Sequence, residues 1–447
     1  MKPDETPVAL SIAGSDSGGG AGVQADVKAM EAHGVLGTSA ITSLTAQNTR
    51  GVTGVLDVEP DFVRSQIDAV VEDLAVASAK TGMLSNADVA RAVADAVRDH
   101  ELTTVVDPVM VAESGDRLLE PEAEEVVRTE VVPRATLVTP NAREAEALTD
   151  VAVDDADSAV AAGERLLELG ADAALVKGGH LTGDRVVDVL VTSDGAVEHV
   201  KPRVDTRDTH GTGCTLSAAI AAEIAKGERL EDAVATAEET IHRAITYAHD
   251  VGGGAGPVDH LAPLRNRAGR AYALDEVRRA IAEFEAADVS RVVPEVGLNY
   301  AVASPRALDE TDVAAVEGRL RRTNDGVEAL RPALAASGHV ARFLLEVRRH
   351  RAVEAACNVR NDAGVRKALD ELGLKAVEFD RESQPRDVRE GEGGTMEWSA
   401  SQVDDSVDAV VDAGAHGKEA MVRLVGDADD VRERVVALAG RADDTGA

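Results

Sequence analysis

Over residues 1–250 the chain alternates short β-branched runs with amphipathic stretches of helical period, and that alternation admits few folds. Strand runs fall at 8–14, 38–45, 78–83, 103–109, 135–140 and 173–179, with helical patterns at 86–99, 121–130 and 156–169. A chain that returns through a helix after each strand lays its strands parallel and covers both sheet faces. One stretch departs from the pattern: two runs joined by Asp194-Gly195 predict a hairpin. Helices at about 213–226 and 230–249 close this unit. The Gly- and Pro-rich segment 251–269 breaks any period, and a new α/β segment opens with a helix at 273–287. With 447 residues the chain exceeds one ordinary core. It is read as a first domain over 1–262, a linker over 263–269 and a smaller second domain over 270–447.

The net charge of −34 and a sequence pI near 4.6 disfavour nucleic acid and anionic membranes as partners. Only nine of the 47 basic side chains are Lys. An acidic, Lys-poor coat suits a high-salt cytoplasm, where salt screens the self-repulsion. No stretch reaches 18 continuous apolar residues, and the acidic N-terminus is no signal peptide, so a cytoplasmic location is expected. The two cysteines, Cys214 and Cys357, lie far apart with no metal spacing, as in a reducing compartment.

Polar and glycine motifs sit where strands end. SIAGSDSGGGAGVQAD (11–26) puts a glycine loop between the first strand and a helix, with Asp26 in that helix. LTAQNTRG (44–51) follows a strand, and its Gln47 offers a donor and an acceptor together. VVDPVM (105–110) and VTPNAREAEAL (138–148) end consecutive strands with an acid and an Asn/Glu pair. In open α/β sheets ligands gather at the carboxyl ends of strands, so these groups should converge. Carboxylates beside a phosphate suit Mg²⁺, a hard cation that takes oxygen ligands. LVKGGH (175–180) aims a rare Lys at the same edge.

In THGTGCT (209–215) the Gly-Thr-Gly amides precede a long apolar helix and form an anion hole at its N-terminus. The same place is expected to lower the Cys214 pKa. Taken alone, Cys214 is open to four readings: nucleophile, metal ligand, redox thiol or small core residue. An anion hole with a nearby proton acceptor is what phosphoryl transfer requires.

Taken in order, AGSDSGGGAGVQAD, LTAQNTRG, AKTGML, VVDPVMVAESG, TPNAREAEAL, LVKGGH and THGTGCTLSAAI closely resemble hydroxymethylpyrimidine/phosphomethylpyrimidine kinase, over about residues 6–262. The resemblance implies a ribokinase-like three-layer α/β/α fold. It also implies two successive ATP-dependent phosphorylations of 4-amino-5-hydroxymethyl-2-methylpyrimidine, with ATP as co-substrate and Mg²⁺ as metal. Carried across residue by residue, Gly14, Asp26, Gln47, Met83 and Val109 match the pyrimidine pocket. Cys214 matches the catalytic position, and Gly211, Thr212 and Gly213 the anion hole. Asp107 and Glu144 match the metal region, and Asn141 and Lys177 the ATP and phosphate contacts. Dimers are usual in this family, so a homodimer through the first domain is expected.

In the second domain, VPEVGLNYAVA, DVAAVEGRL, SGHVARFLLEVR, ACNVRND, FDRESQP and DAGAHGKEAMVRLVG resemble the archaeal-type thiamine-phosphate synthase domain, over about 270–447. This implies a smaller α/β domain that condenses the pyrimidine diphosphate with 4-methyl-5-(2-phosphoethyl)thiazole, releasing pyrophosphate. Arg319, His339, Arg342, Arg360, His416 and Lys418 are the candidate donors, Arg319 and His339 foremost. Cys357, where Met is expected, reads as a core residue. Two other readings stand beside these. The second domain could be a sensor that binds thiamine phosphates without turnover, and the first could be a pyridoxal kinase.

Overall fold

The computed structural model describes residues 6–111, 118–179, 183–379, 398–401, 403–404, 406–414 and 419–442. It divides into two compact units, Met1–Leu264 and Arg265–Ala447.

In the first unit, β1 (Val8–Asp16), α1 (Gly22–Ala32), β2 (Leu36–Asn48), β3 (Gly51–Asp57), α2 (Pro60–Asp73), β4 (Val76–Thr81), α3 (Ala87–Asp99) and β5 (Thr104–Val106) run in order. They are followed by α4 (Pro121–Val126), β6 (Leu137–Val138), α5 (Ala142–Thr149), α6 (Ala156–Glu168), β7 (Ala173–Val176), β8 (Arg185–Thr192), β9 (Gly195–Pro202), α7 (Thr212–Ala225) and α8 (Leu230–Thr246). The nine-stranded sheet has the order β3-β2-β1-β4-β5-β6-β7-β8-β9. Six neighbouring strands, β2 to β7, are parallel, as the alternation predicts. Both edges are antiparallel. The β8–β9 hairpin turns at Asp194-Gly195 as expected, whereas β3 answers to no expected strand.

Local sequence explains the helices. Asn86 caps α3 by accepting the Val89 amide at 3.0 Å, and Val89, Ala90, Val93, Ala94 and Val97 put one apolar face against the sheet. α7 is different: Thr215 through Glu223 are all buried, so its small Ala and Ser side chains let it lie at the centre. The strands stop level with one another. Thr81 pairs Val106 and Val106 pairs Val138, so Gly82, Asp107 and Thr139 leave the sheet side by side.

The second unit holds a seven-stranded sheet, ordered from its edge as Pro332–Leu334, Val313–Val316, Tyr300–Ala303, Ala355–Arg360, Met421–Gly426, Ala409–Asp412 and Ala376–Phe379. Only its last pair is parallel. Strand alternation divides the side chains: Tyr300, Val302, Cys357 and Leu424 join one apolar cluster, and Ala301, Ala303, Ala356 and Val425 the other. The segment 263–269, read as a linker, contains the boundary between the two units and is helical, as part of one helix over Ala262–Ala286. Gly269 does not break it, because its missing side chain leaves room for Ser304 and Pro305.

Candidate active site

The two glycine loops of the first unit meet. Asp16, at the end of β1, accepts the amides of Gly18, Gly20 and Ala21 at 2.7, 2.9 and 2.8 Å and folds the first loop around its carboxylate. His210 Nε2 reaches the same carboxylate at 3.1 Å, tying the second loop to the first. Burial pushes the Asp16 carboxyl up, but His210 and the amides outweigh it and hold the group below the usual carboxylate range. Gly211 caps α7 at φ 84°, and a Cβ there would stand 1.8 Å from Gly20 O. No other residue type fits that approach.

Beneath the loops lies a row of buried charges. Lys80 in β4 and Asp26 in α1 are both fully buried, and Lys80 Nζ donates to both Asp26 oxygens at 2.9 Å. Ser11 Oγ adds a third hydrogen bond at 2.6 Å. Burial pushes the Asp26 carboxyl up against the pull of Lys80 and Ser11. Burial also pulls Lys80 down, but Asp26 with Cys214 and Asp107 outweighs it and holds Lys80 above the ordinary lysine range. Asp26, expected to bind substrate, is fully buried, with Oδ1 accepting Lys80 and Oδ2 accepting Lys80 and Ser11. Lys80 was not among the expected site residues. Its signal was available, as one of nine Lys placed inside a strand otherwise made of small side chains.

Asp107, just past β5, accepts Lys177 Nζ at 3.0 Å. A Cβ on Gly213 would lie 3.2 Å from Lys177 Nζ and 3.6 Å from Asp107 Oδ2, so the anion hole, the cation and the acid share one spot. Asn141 and Glu144 lie beside them but are engaged with each other. Asn141 accepts the Glu144 amide at 3.0 Å, and Glu144 Oε2 accepts the Asn141 amide at 2.8 Å, a reciprocal cap on α5. Burial pushes the Glu144 carboxyl up to about 7, Lys177 opposing and Asp107 adding. Asn141 Oδ1 is thus committed to the helix cap, where it accepts the Arg143 and Glu144 amides. Among the described residues no group of three or more His, Cys, Asp or Glu could hold a metal. Two carboxylates do suit a cation that keeps most of its water, as Mg²⁺ does.

Of the pyrimidine-pocket candidates, Gly14 and Met83 lie together. A Cβ on Gly14 would meet Ser43 Oγ at 2.9 Å and Met83 Sδ at 3.1 Å. Val109 lines a small cleft with Thr81, Gly82, Asp107 and Pro108. Gln47 Nε2 lies 3.4 Å from His210 Nε2.

Cys214 occupies the first turn of α7, as expected, but its thiol departs from expectation. Burial pushes it up to about 11; Lys80 pulls it down and Asp26 and Asp107 push it further up. The helix N-terminus and one ammonium do not offset lost hydration beside two carboxylates. At rest Cys214 is a thiol.

In the second unit the candidates separate. Val313–Val316 and Pro332–Leu334 pair antiparallel, with Val316 opposite Pro332 and Ala314 opposite Leu334. Arg319 and His339 therefore leave opposite ends of that pair. Arg319, at φ 70°, donates to Val296 O at 2.7 Å and packs on Gly297, whose carbonyl accepts Asn358. Arg360 ends the Asn358 strand, and its Nη2 has no hydrogen-bond partner. At the other end, exposed His339 and half-buried Arg342 open the helix Gly338–Arg348, and Arg342 pairs with Glu310 at 2.7 Å. His416 and Lys418 lie outside the described residues. Cys357 is fully buried in the core, as read.

Residues 16–259 match the family described as phosphomethylpyrimidine kinase, and residues 276–437 match thiamine-phosphate synthase ThiN. The chain is 51% identical over 260 residues to hydroxymethylpyrimidine/phosphomethylpyrimidine kinase of Rhizobium meliloti, covering 57% of this chain and 97% of that protein. It is 48% identical over 255 residues to thiamine biosynthesis bifunctional protein ThiED of Geobacter sulfurreducens, covering 56% of this chain and 52% of that one. Among solved structures, the ADP complex of Bacillus subtilis pyridoxal kinase superposes with a TM-score of 0.55 at 35% identity, over 58% of this chain and 98% of that one. Its likeness supports the ribokinase-like fold. The chain belongs to the phosphomethylpyrimidine kinase family, with a thiamine-phosphate synthase domain following the kinase unit.

Proposed function

We propose that the first unit phosphorylates 4-amino-5-hydroxymethyl-2-methylpyrimidine and then its monophosphate, with ATP as donor. The observation that carries this reading is Asp107, Lys177 and the Gly211–Gly213 amides at one spot above the Lys80–Asp26 pair. Lys177 and the amides receive the phosphoryl charge as it develops, in a site whose donors need no rearrangement. Asp107 and Glu144 would hold Mg²⁺, which when bound neutralises the phosphate oxygens. Gly14, Met83, Val109 and Gln47 shape the acceptor pocket. Cys214, a thiol at rest, would act as base once its own proton has passed to solvent. The thiolate then takes the proton of the acceptor hydroxyl as that oxygen attacks the γ-phosphorus and ADP leaves, whereas a phosphate acceptor needs no such base.

The second unit then joins the diphosphate to a thiazole phosphate. Each of its substrates carries phosphate, and the two basic ends match that demand. Arg319 with Arg360 takes one phosphate group, and His339 with Arg342 the other. The likeness to pyridoxal kinase keeps one rival in view, a kinase whose acceptor is pyridoxal. Competition between the two alcohols for limiting ATP decides it: preferential labelling of the pyrimidine supports this reading, and preferential labelling of pyridoxal overturns it. A homodimer through the first unit completes the proposal. No helix among the described residues is long and apolar enough to cross a membrane.

A further inference from the structure

Next to the Lys177 loop two buried acids interact, and among the described residues neither makes an ion pair. Asp188 in β8 is 7% exposed and accepts the Gly178 amide through Oδ1 at 2.6 Å. Glu238 in α8 is 3% exposed, hydrogen-bonds Asp188, and its Oε1 has no partner. A hydrogen bond between two carboxyl groups requires a proton, since two carboxylates offer only acceptors. Asp188 Oδ1 already accepts the Gly178 amide, so Glu238 is placed as the donor of the pair. Burial first, then Asp188, pushes the Glu238 carboxyl up to about 9, with Lys201 and Lys177 opposing.

The amide so held is the one next to Lys177. The Lys177 amide donates to Pro140 O at 2.8 Å, and the Gly178 amide is fixed by Asp188. A Cβ on Gly178 would stand 2.0 Å from Val187 O, so the backbone here is pressed flat against β8. Two consecutive amides thus set the direction in which the Lys177 side chain leaves the strand towards Asp107.

We propose that Glu238 is a positioning residue for the phosphate side of the kinase site: as a neutral acid it donates to Asp188, which holds the Gly178 amide and with it the Lys177 ammonium. The inference rests on the reading of the first unit as an ATP-dependent kinase. Supporting residues of this kind typically change activity about 10-fold when removed.

The test uses the full-length chain with ATP and the pyrimidine alcohol. Glu238→Ala raises KM for ATP about 10-fold and leaves KM for the alcohol within about twofold. Glu238→Gln keeps the donor and restores KM for ATP to within about twofold of wild type. Glu238→Met fills the same space without a donor; it carries the test if the Ala variant does not fold, and it behaves like Ala. An unchanged KM for ATP in Ala or Met overturns the proposal, and so does a Gln variant as impaired as Met. If wild-type protein transfers no phosphate from ATP, the kinase reading itself has failed, which the variants cannot mimic.

Discussion

Lys80 Nζ stands 2.9 Å from both carboxylate oxygens of Asp26, with neither side chain reaching solvent. A buried pair of this kind costs desolvation on both sides, and removing one partner strands the other. Lys80→Met should therefore destabilise the kinase unit by about 3–5 kcal/mol, and Lys80→Met/Asp26→Leu should recover much of that loss. Thermal melting of the two variants checks this. A double variant no more stable than the single one would show that the pair does not act as a unit. Neither variant should retain normal turnover, because Lys80 is also the cation acting on Cys214.

The raised Cys214 thiol gives a kinetic signature. With a pKa near 11 the thiolate is scarce at neutral pH and grows about tenfold per pH unit. The rate for the alcohol should rise with pH between about 7 and 9 if thiolate is the base, while the rate for the phosphate acceptor stays flat. Cys214→Ser should hurt the first step more than the second. Equal losses in both steps would leave Cys214 a positioning role only.

How much of this was legible in the sequence depends on what each feature rests on. The parallel sheet and the strand-end positions of Asp107 and Lys177 follow from apolar runs that stop at polar residues. Lys80 is marked in the sequence by its rarity inside a strand of small residues, but its pairing with Asp26, from another element, is visible only in the fold. The thiol shift is a tertiary effect, set first by burial and then by Asp26 and Asp107 from other elements, whereas the sequence shows only the helix start. The separation of Arg319 from His339 depends on the pairing of strands three and four residues long, whose register no period in the sequence announces.

That separation makes the two basic ends of the second unit distinguishable. Arg319→Ala and Arg360→Ala should raise KM for the same phosphorylated substrate, and His339→Ala and Arg342→Ala for the other, by about tenfold each in steady-state assays. All four raising the same KM would merge the two ends into one site.

His260 links stability to acid. Burial lowers its imidazole to about 4, and its Nε2 lies 3.0 Å from Gly20 O in the first loop. An unfolded histidine takes its proton near pH 6.5, so below that pH the unfolded chain binds a proton the fold refuses. This stability is fully present above about pH 6.5 and is lost as the pH falls towards 4, about 2 kcal/mol of it by pH 5. Melting at pH 7 and 5 should show a smaller drop for His260→Gln than for wild type. Equal drops would place the acid sensitivity elsewhere.

With a net charge of −34, the chain should gain stability as salt shortens the Debye length from about 10 Å at 0.1 M to about 3 Å at 1 M. Melting in KCl over that range reads this directly, and a flat or falling Tm would contradict it.

The account stands or falls on one reaction. Full-length protein given the pyrimidine alcohol, ATP, Mg²⁺ and the thiazole phosphate should produce thiamine phosphate and pyrophosphate in one pot, and residues lost from Asp107 or Lys177 should stop it before the first phosphate is transferred. Pyrimidine that stays unphosphorylated, or diphosphate that accumulates without condensing, would contradict the first unit's role or the second's.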